Sequence, residues 1–493
     1  MQVSRRTFFK LSGAALLGGT MQRWTPPPRA HLRAVAANPT WHLLNRITWG
    51  VRPEELARAE AMGYEAYLDE QLHPETIDDA ETEARLRLLP VLQMDRHTLY
   101  ALDETEGRSY QALVKGVVIR AVYSKRQLLE RMVDFWADHL NVAGDDFVVD
   151  RVIYDREVLR KHALGKFRDL IFASAKSPAM LMYLDNYISE AEHPNENYGR
   201  ELLELHTLGV DGGYTETDVK EVARALTGWT VHDGTKTGFY FDPEMHDDGE
   251  KHVLGHTLPA GRGIEDGLHA IDLAVNHPST ARFLSRKLCI RFVADDPPQS
   301  LVESTTAVWQ QTDGDIRQVM RHILTSQEFL QSVGQKLRRP LDFFIGALRA
   351  TGTQISEFWE LEQLLKTLGQ TPLGWLPPDG YPDRAERWMS TGGLVARWNA
   401  AAYLTHTAYS HEWENLPTEL YTRIGQPQTV GELVDAVASQ VFGAPLTEEV
   451  RAPFVNFAAD GAGAETPVTR HLLARKLASL YQLMLSSPAY QWR

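Results

Sequence analysis

Residues 196–206 hold the densest set of groups able to do chemistry: Glu196, Arg200, Glu201, Glu204 and His206. On a helix Arg200 lies four residues after Glu196 and four before Glu204, which puts an acid, a base and an acid on one face. Carboxylates and imidazoles are the ligands of zinc, manganese or iron when three or more of them converge. The metal ligands expected here are His139, His206 and the His246-Asp247 turn. A divalent metal ion held there would polarise a carbonyl or phosphoryl oxygen and lower the pKa of water. Glu201 or Glu204 would take the proton, and Arg200 would orient an anionic substrate or stabilise developing charge. That chemistry is metal-dependent hydrolysis.

The same spacing also describes ordinary ion pairs. Glu196, Arg200 and Glu204 could bridge neighbouring helices, and His206 could donate to a backbone carbonyl near a helix end. On an ideal helix Glu204 and His206 point about 200° apart, so one ion takes both only if the helix ends between them. No His-Glu-x-x-His pattern, Gly-x-Ser-x-Gly elbow, phosphate loop or haem-attachment motif occurs. His252 and His256 have helical spacing, but Gly255 and the turn residues around it oppose a helix there. Asp211 to Asp218 resembles the second half of a calcium loop. Thr207 and Gly209 stand where its first carboxylates belong, and a glycine-rich turn feeding a capped helix accounts for the same residues.

A different chemistry comes from aromatic rings. Trp375, Tyr381, Trp388 and Trp398 surround a Pro- and Gly-rich interruption at 369–382. Trp375, Tyr381 and Trp398 are the expected substrate-binding rings of a groove for a glycan or another exported protein. The bland alternative is that the rings pin a long loop onto the body. The sequence therefore carries two functional readings, a metal-dependent hydrolase and a non-catalytic cell-envelope glycan-binding or protein-assembly factor, with the envelope substrate or protein partner left open.

The elements that must position these groups are mainly α: a multi-helical globular fold with at most a small β-hairpin. Helices are expected over 156–176, 196–208, 217–228, 280–293 and 315–325, and again over 340–351, 385–404 and 467–485. Thr215 and Asp218 supply a capping box for one of them, and Ser124 with Gln127 resembles another. Phe239-Tyr240-Phe241 and Lys251-His252-Val253-Leu254 are expected to flank a turn at His246-Asp247-Asp248-Gly249 as the small hairpin. The helical core is placed at 38–330 and a C-terminal helical region at 331–493, both able to pack as one body.

The 493 residues are 43% hydrophobic, enough for a large core. The formal charge of -14 disfavours nucleic acid as a partner, since that affinity rests on a positive footprint. A lone cysteine, Cys289, excludes an intramolecular disulfide, a four-thiolate iron-sulfur centre and a cysteine-rich zinc module. It reads as a small buried hydrophobe. Residues 1–36 carry basic side chains and no acid, so their removal takes the charge to -20. Ser4-Arg5-Arg6-Thr7-Phe8-Phe9-Lys10, the short apolar run at 11–19 and Ala34-Val35-Ala36 form a twin-arginine signal peptide. Its apolar run is too short for a stable transmembrane span. The expected partner is the twin-arginine export machinery, and the destination is periplasmic or extracellular, including the cell surface.

Several longer motifs carry a family likeness. They are Phe135-Trp136-Ala137-Asp138-His139, the run from Asn195 to Gly209 with Asp211-Gly212-Gly213-Tyr214-Thr215, and Ala223-Arg224-Ala225-Leu226-Thr227-Gly228-Trp229. His246-Asp247 with Lys251, the run from Leu376 to Asp383, and Arg397-Trp398-Asn399 complete the set. On these the sequence resembles the bacterial domain-of-unknown-function 1800 (DUF1800) family over nearly the whole mature chain. The resemblance implies a largely helical, commonly exported protein and brings no activity with it.

Overall fold

The computed structural model describes residues 38–143, 148–231, 238–355, 357–406 and 418–493. The expected export segment, 1–36, lies outside them. The fold is mainly helical, from Pro39–Ile47 at one end to Pro488–Gln491 at the other. Among the described residues no helix is long and apolar enough to cross a membrane.

Helix starts follow the local chemistry. Thr215 and Asp218 form the expected capping box for Glu216–Ala225, and Asp315 caps Ile316–Thr325 by accepting the Gln318 N–H at 3.1 Å. Ser124 behaves differently from expectation. Its hydroxyl donates to the buried Asp79 carboxylate at 2.7 Å, and the Gln127 amide reaches back to the Ser124 and Ala121 carbonyls at 2.8 and 3.2 Å. Gln127 therefore closes the preceding helix, Thr105–Tyr123, instead of completing a box for its own, Gln127–His139.

Among the described residues the extended segments form two antiparallel pairs: Trp229–Val231 with Phe239–Phe241, and Lys251–Val253 with His256–Leu258. The hairpin expected across 246–249 is thus replaced by two others. Leu254 and Gly255 both take positive φ, 50° and 81°, which is the backbone of a two-residue hairpin turn. That turn folds the Lys251 strand onto the His256 strand and leaves the Phe239 strand to Trp229.

Among the described residues two helices contain π-turns. Val148–Ile153 runs into a π segment at Tyr154–Arg160, and Glu196–Glu201 runs into another at Leu202–His206. Each fits an extra residue into a turn and changes the direction of the side chains after it. Both flank the polar centre described below.

The larger of the two main apolar clusters draws on Trp41 through Phe329 and takes in Ala444. The other joins Trp49, Val114, Ala121 and Val122 to residues between Leu341 and Tyr490. Around position 336 the backbone pairs with residues 491–493: Lys336 and Arg493 exchange hydrogen bonds of 3.1 and 2.8 Å, and the Arg338 N–H donates to Gln491 at 2.8 Å.

Candidate functional site

Helix Gln127–His139 buries Leu128, Met132, Phe135 and Trp136, and with them the polar Gln127, Glu130, Arg131 and His139. Asp134 and Asp138, four residues apart, share a face. Arg339, just ahead of helix Pro340–Thr351, donates to both at 2.6 Å. Arg291, from helix Pro278–Phe292, reaches Asp134 and Asp383. Burial would raise the Asp383 carboxyl, but Arg291, Arg339 and Lys336 hold it well below the usual carboxylate range. Asp138 goes the other way: burial pushes it up to about 6 against the pull of Arg339.

His139 ends this helix. Its Nε2 donates to the His206 carbonyl at 3.1 Å, and its Nδ1 accepts from Lys287 Nζ at 2.9 Å. Those partners fix the neutral tautomer protonated at Nε2. Burial, then Lys287 and His206, keep His139 well below the usual histidine range. Burial and Lys287 bring His206 down to about 3. The π-turn at Leu202–His206 delivers the His206 ring, 6.3 Å from that of His139 and buried, with Nε2 bonded to nothing among the described residues.

The other expected site residues have different company. Arg200 forms a fork to Glu216 at 2.7 Å through both terminal nitrogens and reaches Glu196 at 3.4 Å, all at the surface. Glu204 accepts from the Tyr214 hydroxyl at 3.2 Å. Glu201 is half-buried, and burial followed by Glu204 and Asp379 raises its carboxyl. His246 donates from Nδ1 to the Thr227 carbonyl at 2.8 Å, with Nε2 3.5 Å from Asp266. Asp247 is gripped by Arg224 at 2.7 and 3.1 Å, which lowers its carboxyl. The structure therefore joins His139 to His206 and gives His246 and Asp247 to a separate cluster with Arg224, Lys251 and Asp266. Among the described residues no group of three or more His, Cys, Asp or Glu is placed to hold a metal ion. His139 meets the Lys287 ammonium at the nitrogen that would face a cation.

The aromatic loop packs on the same helix. Gly380, at φ 69°, passes so close that a Cβ there would fall on the Asp138 carbonyl oxygen, a position only glycine fills. Asn141 donates to the Trp375 and Pro377 carbonyls at 2.9 and 2.8 Å. Tyr381 donates to Thr371 at 3.1 Å, and the Trp388 indole to Pro382 at 2.8 Å. Ring centroids run from Trp375 to Tyr381 at 5.0 Å and from Tyr381 to Trp388 at 5.9 Å. Trp398 stands apart, its indole donating to Ser486 at 3.1 Å on helix Arg470–Ser486. Between loop and helix lies a cavity of about 60 Å³, lined by Asp134, Asp138, Asn141, Arg151, Trp375 and Tyr381 among others.

The family description "Protein of unknown function (DUF1800)" matches residues 42–492. The chain belongs to the DUF1800 family. No curated protein and no solved structure matches it. In this DUF1800 protein the motif segments around Asp138, His206 and Gly380 meet at one place, through the contacts just given. Asp134, Lys287, Arg291 and Arg339 join this site with no motif to announce them. Asp134 was legible as the partner of Asp138 four residues on; Lys287 sits among Arg282, Arg286 and Arg291 and reads as one more surface cation.

Proposed function

We propose that this DUF1800 protein is an exported, non-catalytic binding protein of the cell envelope that holds a glycan against its aromatic loop. The observation that carries the reading is the continuous row of Trp375, Tyr381 and Trp388, each half-buried. Sugar rings pack their C–H faces on such rings, while carboxylates such as Asp379 take their hydroxyls. The loop is held in place before any ligand arrives by the Asn141, Tyr381 and Trp388 hydrogen bonds and by the Gly380 contact, so little ordering cost accompanies binding. A cavity of about 60 Å³ admits a few waters, whereas enclosed small-molecule sites run to roughly 300 Å³ or more. That favours a ligand lying along the loop over one engulfed for reaction. The twin-arginine pattern at the start of the sequence supplies the route to the envelope.

The test is retention of the mature protein on insoluble cell-wall glycan, followed by titration with soluble oligosaccharides. Wild type is expected to bind with or without a chelator and to leave the glycan length unchanged. The double variant Trp375→Ala, Tyr381→Ala is expected to bind about tenfold or more weakly, the loss of two stacked rings. Equal binding by that variant, or no glycan bound by wild type, overturns the proposal. Chelator-sensitive shortening of the glycan would install the hydrolase reading in its place.

A further inference from the structure

A second charged cluster adjoins the first on the Arg131 side of helix Gln127–His139, and its charges do not balance. Arg46 comes from helix Pro39–Ile47, Arg338 from the segment before Pro340, and Arg493 from the stretch paired with Lys336. With Arg131 they make four guanidinium groups, each between 0% and 4% exposed. Asp342 is the carboxylate they share: Arg131 donates to one oxygen, and Arg493 at 2.9 Å to the other. Burial would raise Asp342, but Arg131, Arg493 and Arg339 hold it well below the usual range, so it is ionised. Asp295 also acts on Arg46, but its oxygens go to Lys336, which brings its own positive charge, and to the Ala385 N–H.

The remaining bonds are to neutral acceptors. Arg46 donates to the Ser332 carbonyl at 2.6 Å, and Arg338 to the Tyr490 carbonyl at 3.0 Å and to Asn45 Oδ1 at 2.8 Å. After these, Nε and Nη1 of Arg46, Nε and Nη2 of Arg131, Nη1 of Arg338 and Nε and Nη1 of Arg493 have no acceptor among the described residues. Neither does the Asn45 amide nitrogen. The cations lie close enough to act on one another. Burial, then Arg338, with Arg131 adding a smaller push, bring Arg46 down to about 9 against the pull of Asp295. Burial holds Arg493 well below its usual range, with Arg131, Arg338 and Arg46 adding to the effect against Asp342.

Guanidinium keeps its proton inside proteins, so this charge is not relieved by titration. An uncompensated buried charge costs several kcal/mol. Water can accept from two of these donors, but it brings no negative charge to offset the guanidinium groups. We propose that Arg46, Arg131, Arg338 and Arg493, with the Asn45 amide, bind a small inorganic anion, a halide or a compact oxyanion such as phosphate, enclosed where the two apolar clusters meet. The anion accepts from segments that are distant in sequence, so it binds the folded chain and not the unfolded one.

The test is refolding from urea at fixed ionic strength, with gluconate, too bulky to be enclosed, replaced stepwise by chloride, bromide or phosphate. One enclosed ion multiplies the folding equilibrium constant by one plus the ratio of anion to its dissociation constant, so the constant climbs tenfold for each tenfold of anion well beyond that value. Crystals grown in bromide are expected to show one anomalous peak within bonding distance of Arg46, Arg131 and Arg493. Arg46→Met should abolish the anion dependence. If that variant fails to fold, the wild-type titration and the bromide map decide. A wild-type midpoint unchanged by all three anions, a salt response that is linear and persists in Arg46→Met, or a bromide map with no peak there, each overturns the proposal.

Discussion

Arg200 and Arg339 each bridge two carboxylates and each touches an i, i+4 spacing: Glu196 stands four residues before Arg200, and Asp134 four before Asp138. Their surroundings differ completely. Arg200 is 33% exposed and its main partner Glu216 is 68% exposed; Arg339 is 3% exposed between Asp134 and Asp138. Water already solvates the first set, so the pairing replaces bonds the ions would have anyway. In the second set water has been removed, and each ion depends on the others for its solvation. Spacing announces that charges can meet. Whether the meeting matters is decided by the rest of the helix: Gln127–His139 is buried around most of its circumference, and Glu196–Glu201 is not.

The widest separation between the two should appear on substitution of the arginines. Arg339→Met takes from Asp138 its hydrogen-bonded cation and leaves Asp134 to Arg291 alone, and is expected to lower unfolding free energy by roughly 3–5 kcal/mol in urea denaturation. Should it prove as mild as a surface change, the distinction between the two hubs collapses. A pH series sharpens the contrast on the buried side. The folded-state pKa of His206 lies near 3 against an ordinary 6.5, so below pH 6.5 the unfolded chain binds the extra proton. The associated stability is full above pH 6.5 and is lost as pH falls toward 3. His206→Leu is expected to remove roughly 2 kcal/mol of the loss between pH 6.5 and about pH 5, read from urea midpoints across the series. Asp138 works with the opposite sign: raised from 3.8 to about 6, it contributes stability below the lower value that disappears as pH rises through the upper one. The wild-type slope in that window is therefore shallower than the histidines alone give. The smallest effect belongs to Arg200→Ala, under about 1 kcal/mol and reduced further by salt. A larger, salt-insensitive loss would mean that the surface ladder supports something beyond itself.

Much of the scaffold was legible because its signals are local. Thr215 with Asp218, Asp315 ahead of Ile316, and the three- and four-residue apolar steps of Gln127–His139 act over one or two turns, where sequence and structure are nearly the same thing. The aromatic loop was legible as an interruption, though not as a stack seated on Asp138. What escaped was decided by competition at a distance. Ser124 had a buried Asp79 to satisfy, the Phe239 strand found Trp229, and His246 had Thr227 and Asp266 nearer than His139. Lys287 and Arg339 look like ordinary surface cations until the helices close over them.

A π-turn is an α-helix carrying one residue too many, and the one at Leu202–His206 is therefore sensitive to length as much as to composition. Deleting a single residue there would restore regular winding and swing the ring of His206 by about 100° around the axis, away from His139 and Lys287. The trio survives only while the helix keeps its misfit, so a shorter and locally sounder chain would lose the one arrangement that sets this helix apart.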